Sequence, residues 1–153
     1  MVSTELLRRY PFFANLTDDE LREIAMISEE KEYADGEALL VGGENADYLY
    51  LLRDGSIELH YVVTDERGME ETHDYLVGII NPGEVFGISA AVDPYQYTAS
   101  AVAGGQSLVI EMEGSALRDL CEADLALKAL FQERIASTLF KRLQDSRVLL
   151  LAA

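Results

Sequence analysis

Residues 83–103 carry the side chains whose types and spacing are best suited to binding a ligand. Residues 85–87 are strand-like, and residues 88–92 are small and apolar and form at most one helical turn before Asp93-Pro94 ends it. Residues 97–102 then alternate as a strand. Because the first amides of a helical turn have no partner within it, they suit an anion. The sequence therefore predicts a cradle for an anionic ligand between two strands.

Few other residues carry chemistry. His60 and His73 are the only histidines, and they do not form the His-x-His pair with a third ligand that a cupin-type metal site needs. Cys121 is the only cysteine, which excludes an iron–sulfur cluster held by several cysteines. No serine has a matching histidine and acid for nucleophilic catalysis. We therefore predict no catalytic residue and no metal, and keep a cupin-like metal enzyme as a remote alternative.

Composition limits the partners of the chain. Its 153 residues are 49% hydrophobic and 26% charged, which fits one globular domain. The net charge of −16 argues against direct nucleic-acid binding, which requires clustered Lys and Arg. No apolar run approaches the ~20 residues of a membrane helix, and no secretory signal is recognisable. A single cysteine fits a reducing compartment, so we expect a cytoplasmic protein with no membrane partner.

The predicted secondary structure changes along the chain from helices to strands and back to helices. Two short helices are expected in residues 1–30, the second beginning with a capping box of Thr17 and Glu20 and running to about Ser28. Residues 31–113 contain about eight short strands, with the change of period at Glu32, and residues 64–71 form a polar hairpin tip. This spacing predicts a mainly β fold with flanking helices: a β jelly roll, or double-stranded β-helix.

Residues 114–153 are expected to form two helices. Ser115 is predicted to cap a short one, and Asp124 a long one that runs to about Leu151. The apolar residues of the long helix cover a wide arc, which indicates burial on two sides. We predict a homodimer through Ile135, Leu139 and Leu143; packing wholly within its own domain is the alternative, and an unknown protein partner is also possible.

Five segments carry a family resemblance. Residues 11–21 read P-F-F-A-N-L-T-D-D-E-L, residues 36–37 read G-E, and residues 43–50 read G-E-N-A-D-Y-L-Y. Gly55 occupies a tight turn, and residues 82–87 read P-G-E-V-F-G. Their order and spacing resemble the cyclic nucleotide-binding domain, with the bacterial CRP/FNR regulators as the nearest branch. The resemblance covers essentially the whole chain and implies that residues 82–87 begin a phosphate-binding cassette.

The cassette departs from the family pattern at two positions. Ile88 stands where the family has a glutamate for the ribose hydroxyl, and Tyr97 where it has an arginine for the cyclic phosphate. No Lys or Arg lies between Arg67 and Arg118. Because a tyrosine cannot neutralise an anion, cyclic nucleotide remains a possible but disfavoured ligand and the true ligand is unknown.

The cassette and the long helix together define the predicted site. Residues 141–144, K-R-L-Q, resemble the family's R-R-L-Q, which places Ser146 and, with less certain register, Arg147 at base-contacting positions. A cation could reach the pocket from this segment; alternatively, these residues face solvent or a dimer partner. Tyr95 and Tyr97 either contact a ligand or fill the pocket. The predicted ligand-binding residues are Phe86, Gly87, Ile88, Ser89, Ala90, Tyr97, Thr98, Ala99 and Ser146.

Two readings of function follow from the resemblance. The first is a non-enzymatic regulatory or ligand-sensing module that does not bind cyclic AMP or cyclic GMP tightly. The second is the effector domain of a CRP/FNR-type transcription regulator, whose helix-turn-helix is absent from this chain. The cassette serves as the sensor in both readings, so the length of the gene separates them.

Overall fold

The computed structural model describes residues 1–64 and 72–152, so most of the predicted hairpin tip at 64–71 lies outside the described residues. Within these ranges, eight strands form two antiparallel sheets of four. The strands are β1 Ser28–Tyr33, β2 Ala38–Leu40, β3 Tyr48–Asp54, β4 Ile57–Thr64, β5 Thr72–Ile80, β6 Val85–Phe86, β7 Ser100–Ala103 and β8 Ser107–Glu113. The sheet orders are β1-β8-β3-β6 and β2-β7-β4-β5. The predicted jelly roll is confirmed.

Helices flank the two sheets at both ends of the chain. They are α1 Thr4–Arg8, α2 Asp18–Met26, α3 Gly114–Ala123 and α4 Leu125–Ala152, with single 3-10 turns at Pro11–Phe13 and Ile88–Ala91. The core between the sheets consists of fully buried aliphatic side chains, among them Leu49, Leu51, Ile57, Ile80 and Ile110. Within the described ranges, no helix has the length and apolar character needed to cross a membrane.

The N-terminal helix signals behave as predicted. Thr17 Oγ1 accepts a hydrogen bond from the Glu20 amide at 3.1 Å, and Glu20 Oε1 accepts one from the Thr17 amide at 2.8 Å. This reciprocal pair is the predicted capping box. Helix α2 then buries Leu21 and Ile24, so a local sequence signal fixes where the helix begins and which face packs on the core.

Strand β1 begins at Ser28, four residues before the predicted change of period at Glu32. Its sequence, S-E-E-K-E-Y, lacks apolar alternation because most of its side chains are exposed. The strand lies at the edge of its sheet and is held by backbone pairing with β8. Two of its side chains also bind one carboxylate: Lys31 Nζ lies 3.2 Å from Glu111, and the Tyr33 hydroxyl donates to the same group.

The two C-terminal helices begin differently. The prediction that Ser115 caps α3 is wrong: α3 begins at Gly114, and the Ser115 hydroxyl donates to Glu113 Oε1 at 2.7 Å. A capping side chain accepts from the amides two or three residues ahead, and for a serine already inside the helix those amides are bonded within it. The Asp124 cap is confirmed, because its Oδ1 accepts from the Leu127 amide at 3.1 Å.

The most deeply buried side chains of helix α4 all lie in its first half. Leu127, Phe131 and Ile135 are buried, whereas Leu139 and Leu143 are each 48% exposed. Ile135 therefore packs inside its own domain and is a poor interface residue. The homodimer through this helix stays a prediction, and its available surface lies beyond Ile135.

Candidate ligand-binding site

The cassette is built from strand β6, Gly87 and the 3-10 turn Ile88–Ala91, which we call the cassette turn. Gly87 has φ 68°, and a Cβ there would lie 3.0 Å from both the Tyr48 carbonyl oxygen and Tyr50 Cδ2. Only glycine adopts this backbone without strain, so the chain turns sharply from the strand into the turn. The first bond within the turn is donated by the Ala90 amide to Gly87 at 3.1 Å.

A cavity of about 180 Å³ opens between the cassette turn, strands β2, β4 and β5, and helix α4; we call it the cassette cavity. Eight of the nine predicted ligand-binding residues lie in its wall: Phe86, Gly87, Ile88, Ser89, Tyr97, Thr98, Ala99 and Ser146. The exception is Ala90, which is fully buried behind the turn. Its carbonyl oxygen accepts a hydrogen bond of 2.7 Å from Arg118 Nη1.

Tyr97 is part of the wall, and its hydroxyl already has partners. The hydroxyl donates to the Tyr48 carbonyl oxygen at 2.7 Å and accepts from the Tyr48 amide at 3.1 Å. Burial raises the pKa of Tyr97 despite the opposing effect of these bonds. Its only hydroxyl proton is used within the protein, so Tyr97 closes the wall and has no donor left for a ligand.

The backbone at Tyr97 also differs from the predicted strand at 97–102. Strand β7 begins only at Ser100. The Tyr97 amide donates to the Glu44 carbonyl at 3.0 Å, and its carbonyl accepts from the Gly43 amide at 2.8 Å. Tyr97 thus pairs with the β2–β3 loop rather than with the sheet. Alternation in the sequence cannot distinguish these two pairings.

Tyr95 lies away from the cassette cavity, on the opposite side of the cassette turn. The Arg118 guanidinium carbon sits 4.0 Å from the centroid of the Tyr95 ring, a cation–π contact. Both side chains line a second cavity of about 460 Å³ that also contacts α3 and the first half of α4. Arg118 therefore bonds the cassette turn through the Ala90 carbonyl oxygen and does not line the cassette cavity.

The positive charge in the cassette cavity comes from Arg142 on α4. Its Nη2 donates to the Val85 carbonyl oxygen at 2.8 Å. Its Nη1 is buried and has no hydrogen-bond partner among residues 1–64 and 72–152. The nearest acids to Nη1 are Asp145 Oδ2 at 3.7 Å and Glu84 Oε2 at 3.8 Å, beyond hydrogen-bonding distance.

Burial lowers the pKa of the Arg142 guanidinium, and the charges of Glu84 and Asp145 oppose that shift. The group nevertheless remains a cation at neutral pH. Its side chain is only 14% exposed, so the charge is poorly hydrated. A poorly hydrated cation with an N–H that has no protein partner favours an anion in this cavity.

Lys141, the neighbouring cation, faces elsewhere. Its Nζ forms an ion pair with Glu84, whose Oε1 also accepts a 2.7 Å hydrogen bond from the Asn81 amide. Burial pushes the pKa of Glu84 up, but the bonds from Lys141 and Asn81 and the charge of Arg142 outweigh it, so the net pKa is lowered. Lys141 is absent from the wall of the cassette cavity, so Arg142 is the only cation that the described part of α4 presents to that space.

Of the two base-contacting positions implied by the resemblance, only one lies in the wall of the cassette cavity. Ser146 lines the cavity, and its hydroxyl donates to the Val77 carbonyl oxygen on β5 at 3.3 Å. Arg147 is exposed and does not line the cavity. The wall residues that sequence reasoning missed are Leu40, Leu59, Val77 and Leu139, with Arg142 only an open possibility. No signal distinguished Leu40, Leu59 and Val77 from ordinary core positions, and Leu139 was assigned to the predicted dimer surface instead.

The histidines lie outside this site. His60 Nδ1 is 2.9 Å from Asp74 Oδ1, and its Nε2 is 3.6 Å from Glu58 Oε1, on β4 and β5. His73 stacks on Tyr75 with 6.1 Å between ring centroids. Over the described part of the chain, no three or more His, Cys, Asp or Glu side chains come together as a metal site.

Comparison with known proteins places this geometry in context. The model of the family described as "Cyclic nucleotide-binding domain" matches residues 30–124. A crystal structure of a putative cyclic nucleotide-binding protein from Geobacter metallireducens is 38% identical, with a TM-score of 0.81 over 94% of this chain and 99% of that one. The N-terminal domain of a transcriptional regulator from Streptomyces coelicolor is 25% identical, with a TM-score of 0.66 over 89% and 91%.

A curated relative is much longer than this chain. The cGMP-dependent protein kinase egl-4 of Caenorhabditis briggsae is 27% identical over 110 residues, which are 70% of this chain and 14% of the kinase. The chain thus spans about one seventh of that relative.

Proposed function

Because the chain belongs to the cyclic nucleotide-binding domain family, we propose that it is a non-enzymatic regulatory module that senses a small anion other than cyclic AMP or cyclic GMP. The observation that carries the proposal is Arg142, which lines the cassette cavity and whose Nη1 is buried without a hydrogen-bond partner among the described residues. A buried donor without a protein partner is costly, and an anion that bonds it relieves that cost.

The same cavity is a poor match for a cyclic nucleotide. Its volume of about 180 Å³ is below the roughly 300–1,000 Å³ of pockets that enclose drug-sized ligands. Ile88 offers no acceptor to a ribose hydroxyl. The Tyr97 proton is already donated to Tyr48. Both groups that the resemblance assigns to nucleotide binding are thus replaced by side chains that cannot do that work.

Regulation would proceed through helix α4. Arg142 and Ser146 belong to the cavity wall, while Leu143 and Phe140 on the same helix are 48% and 64% exposed. A ligand that binds one orientation of α4 more tightly shifts the helix toward it and changes what the exposed residues contact. We propose that these residues pair with a second copy of the chain; a different protein partner is the alternative.

The second candidate function is the effector domain of a transcription regulator. It is favoured by the similarity to the N-terminal domain of the Streptomyces coelicolor regulator over 89% of this chain. Sequencing the gene beyond the codon for Ala153 tests this candidate. A helix-turn-helix encoded there would support it, and a stop codon would count against it.

Titration calorimetry tests the proposed function directly. Cyclic AMP, cyclic GMP, inorganic phosphate and benzoate are titrated separately into wild type, Arg142→Met and Lys141→Met. We expect at least one of the non-nucleotide anions to bind wild type and Lys141→Met but not Arg142→Met. Lys141→Met is the matched control because it removes the same charge one residue away, outside the cavity. Micromolar binding of either cyclic nucleotide, or binding indifferent to Arg142, would contradict the proposal.

A further inference from the structure

We infer that the ligand of the cassette cavity is a small apolar monocarboxylate, with its carboxylate on Arg142 and one ring-sized or branched apolar group in the remaining space. This inference rests on the proposed function, because it assumes that Arg142 holds an anion. It adds the chemical class, which follows from the lining, the volume and the charges of the cavity.

The lining is mainly apolar. Leu40 and Phe86 are buried at its base, with exposed fractions of 6% and 1%, and Leu59 and Val77 contribute from β4 and β5. Ile88 adds a branched aliphatic side chain at the position where the resemblance expects a carboxylate. A sugar or another polyhydroxylated group would lose its water contacts against these walls without regaining them. The structure therefore favours an apolar body for the ligand.

The volume limits that body to about one ring. An apolar cavity of ~150 Å³ is large enough to hold a benzene molecule in a protein. The cassette cavity measures about 180 Å³, so it accommodates a phenyl or branched alkyl group together with one carboxylate. Acetate would leave most of the apolar surface uncovered, and a nucleotide would extend far outside.

The charges favour one negative charge over two. The anion would meet the single guanidinium of Arg142, whose Nη2 is already bonded to Val85. The carboxylates of Asp145 and Glu84 lie 3.7 Å and 3.8 Å from Nη1 and repel any further negative charge. Lys141 offsets part of the charge of Glu84, with which it is paired outside the cavity, but the charge of Asp145 remains. A monocarboxylate therefore fits the field better than a phosphate dianion.

Calorimetric titration of the whole chain with sodium benzoate tests the inference, with sodium chloride as the ionic control. Benzamide keeps the ring and replaces the carboxylate by a neutral group, and acetate keeps the carboxylate without the ring. We expect benzoate to bind wild type at least tenfold more tightly than either. This comparison uses only wild-type protein, so it does not depend on any variant folding.

Variants locate the binding in the cassette cavity. We expect Arg142→Met and Val77→Phe each to weaken benzoate binding at least tenfold, the first by removing the charge and the second by filling the space. Lys141→Met should change it less than threefold. Thermal unfolding of each variant checks that it is folded at the temperature of the titration.

The outcomes separate the two proposals. If benzoate does not bind but inorganic phosphate binds in an Arg142-dependent way, the monocarboxylate inference is overturned while the proposed function stands. If either cyclic nucleotide binds with micromolar affinity, the proposed function is overturned as well. If benzamide binds as tightly as benzoate, the role of charge in the inference is overturned. If none of these anions binds in an Arg142-dependent way, both the inference and the proposed function fail.

Discussion

Arg142 and Val85, 57 residues apart in the chain, are joined by a 2.8 Å hydrogen bond from the guanidinium Nη2 to the carbonyl oxygen. The bond connects helix α4 to the strand that leads into the cassette turn. On the other side of the turn, Arg118 on α3 donates to the Ala90 carbonyl oxygen at 2.7 Å. Two arginines from two helices therefore bond this segment, one at the strand before the turn and one within the turn, so a change in the segment alters contacts of both helices.

Removing the Tyr97 hydroxyl should destabilise the protein. In Tyr97→Phe the amide and the carbonyl of Tyr48 both lose their hydroxyl partner in a partly buried position. We expect the free energy of unfolding in urea to fall by about 1–3 kcal/mol. Tyr61→Phe is the matched control, because that ring is 50% exposed, and its change should stay within about 0.5 kcal/mol. Equal effects of the two substitutions would show that the Tyr97–Tyr48 bonds carry no net stability.

Glu84 should contribute a stability that depends on pH. Its folded-state pKa is lowered below the ordinary 4.5, so the unfolded chain takes up its proton first as the pH falls. The contribution is therefore complete above about pH 4.5 and is lost as the pH falls through the lower folded-state value. Urea unfolding at pH 7 should show wild type more stable than Glu84→Gln, with the difference shrinking toward pH 3.

The partner of Glu84 provides the control for that experiment. If the ion pair with Lys141 supplies the effect, Glu84→Gln should cost less at pH 7 in the Lys141→Met background than in wild type. An undiminished cost there, or a wild-type advantage that persists at pH 3, would assign the stability to another interaction.

Substitutions of the two predicted hydroxyl caps, Thr17 and Ser115, should differ in their effect on stability. Thr17→Ala removes a side chain that accepts from the Glu20 amide, so we expect a loss of about 1 kcal/mol in the free energy of unfolding. Ser115→Ala removes a hydroxyl that bonds only the exposed Glu113 carboxylate, and we expect a change within about 0.5 kcal/mol. Thermal or urea unfolding measures both, and a larger loss at Ser115 would refute this assignment of the caps.

Association should depend on the second half of α4. Leu143 is 48% exposed, so Leu143→Asp should convert the proposed dimer to monomer while leaving the fold intact. Gln144→Asp places the same charge on the adjacent residue and should leave the dimer unchanged. Sedimentation velocity measures both variants; a monomeric wild type or a dimeric Leu143→Asp would contradict the proposed interface.

Ile135, which was also predicted to lie in the dimer interface, should behave differently from Leu143. Ile135 is 6% exposed, and Ile135→Ala should lower the free energy of unfolding by about 2–4 kcal/mol through a cavity in the core. If Ile135→Ala instead dissociated a dimer without loss of monomer stability, Ile135 would belong to the interface.

Most of the fold was predictable because its signals are local. The Thr17–Glu20 capping box and the Asp124 cap each involve residues three apart, and the structure contains both. The start of strand β1 was not predicted, because its exposed S-E-E-K-E-Y sequence shows no apolar alternation. The strand is held by backbone pairing with β8, which lies about 80 residues away in the chain. Periodicity reports burial, and this strand buries little.

The residues of the candidate site also differ in how far local sequence predicts them. The wall residues within 86–99 were predictable because they follow one another in a short segment. Arg142 was only an open possibility, because choosing between it and Lys141 requires the rotation of α4 about its axis. That rotation is fixed by the packing of Leu127, Phe131 and Ile135, and the wide apolar arc of the helix leaves it ambiguous in the sequence.

One side chain, Leu139, belongs to the walls of both the cassette cavity and the second cavity. A rotamer that enlarges one space on its side encroaches on the other. Two molecules, one in each cavity, would therefore influence each other's affinity, and the factor would be equal in both directions. Substituting Leu139 alters both cavities together. Ser146 lines only the cassette cavity and Phe131 only the second cavity, so substitutions there change one cavity at a time.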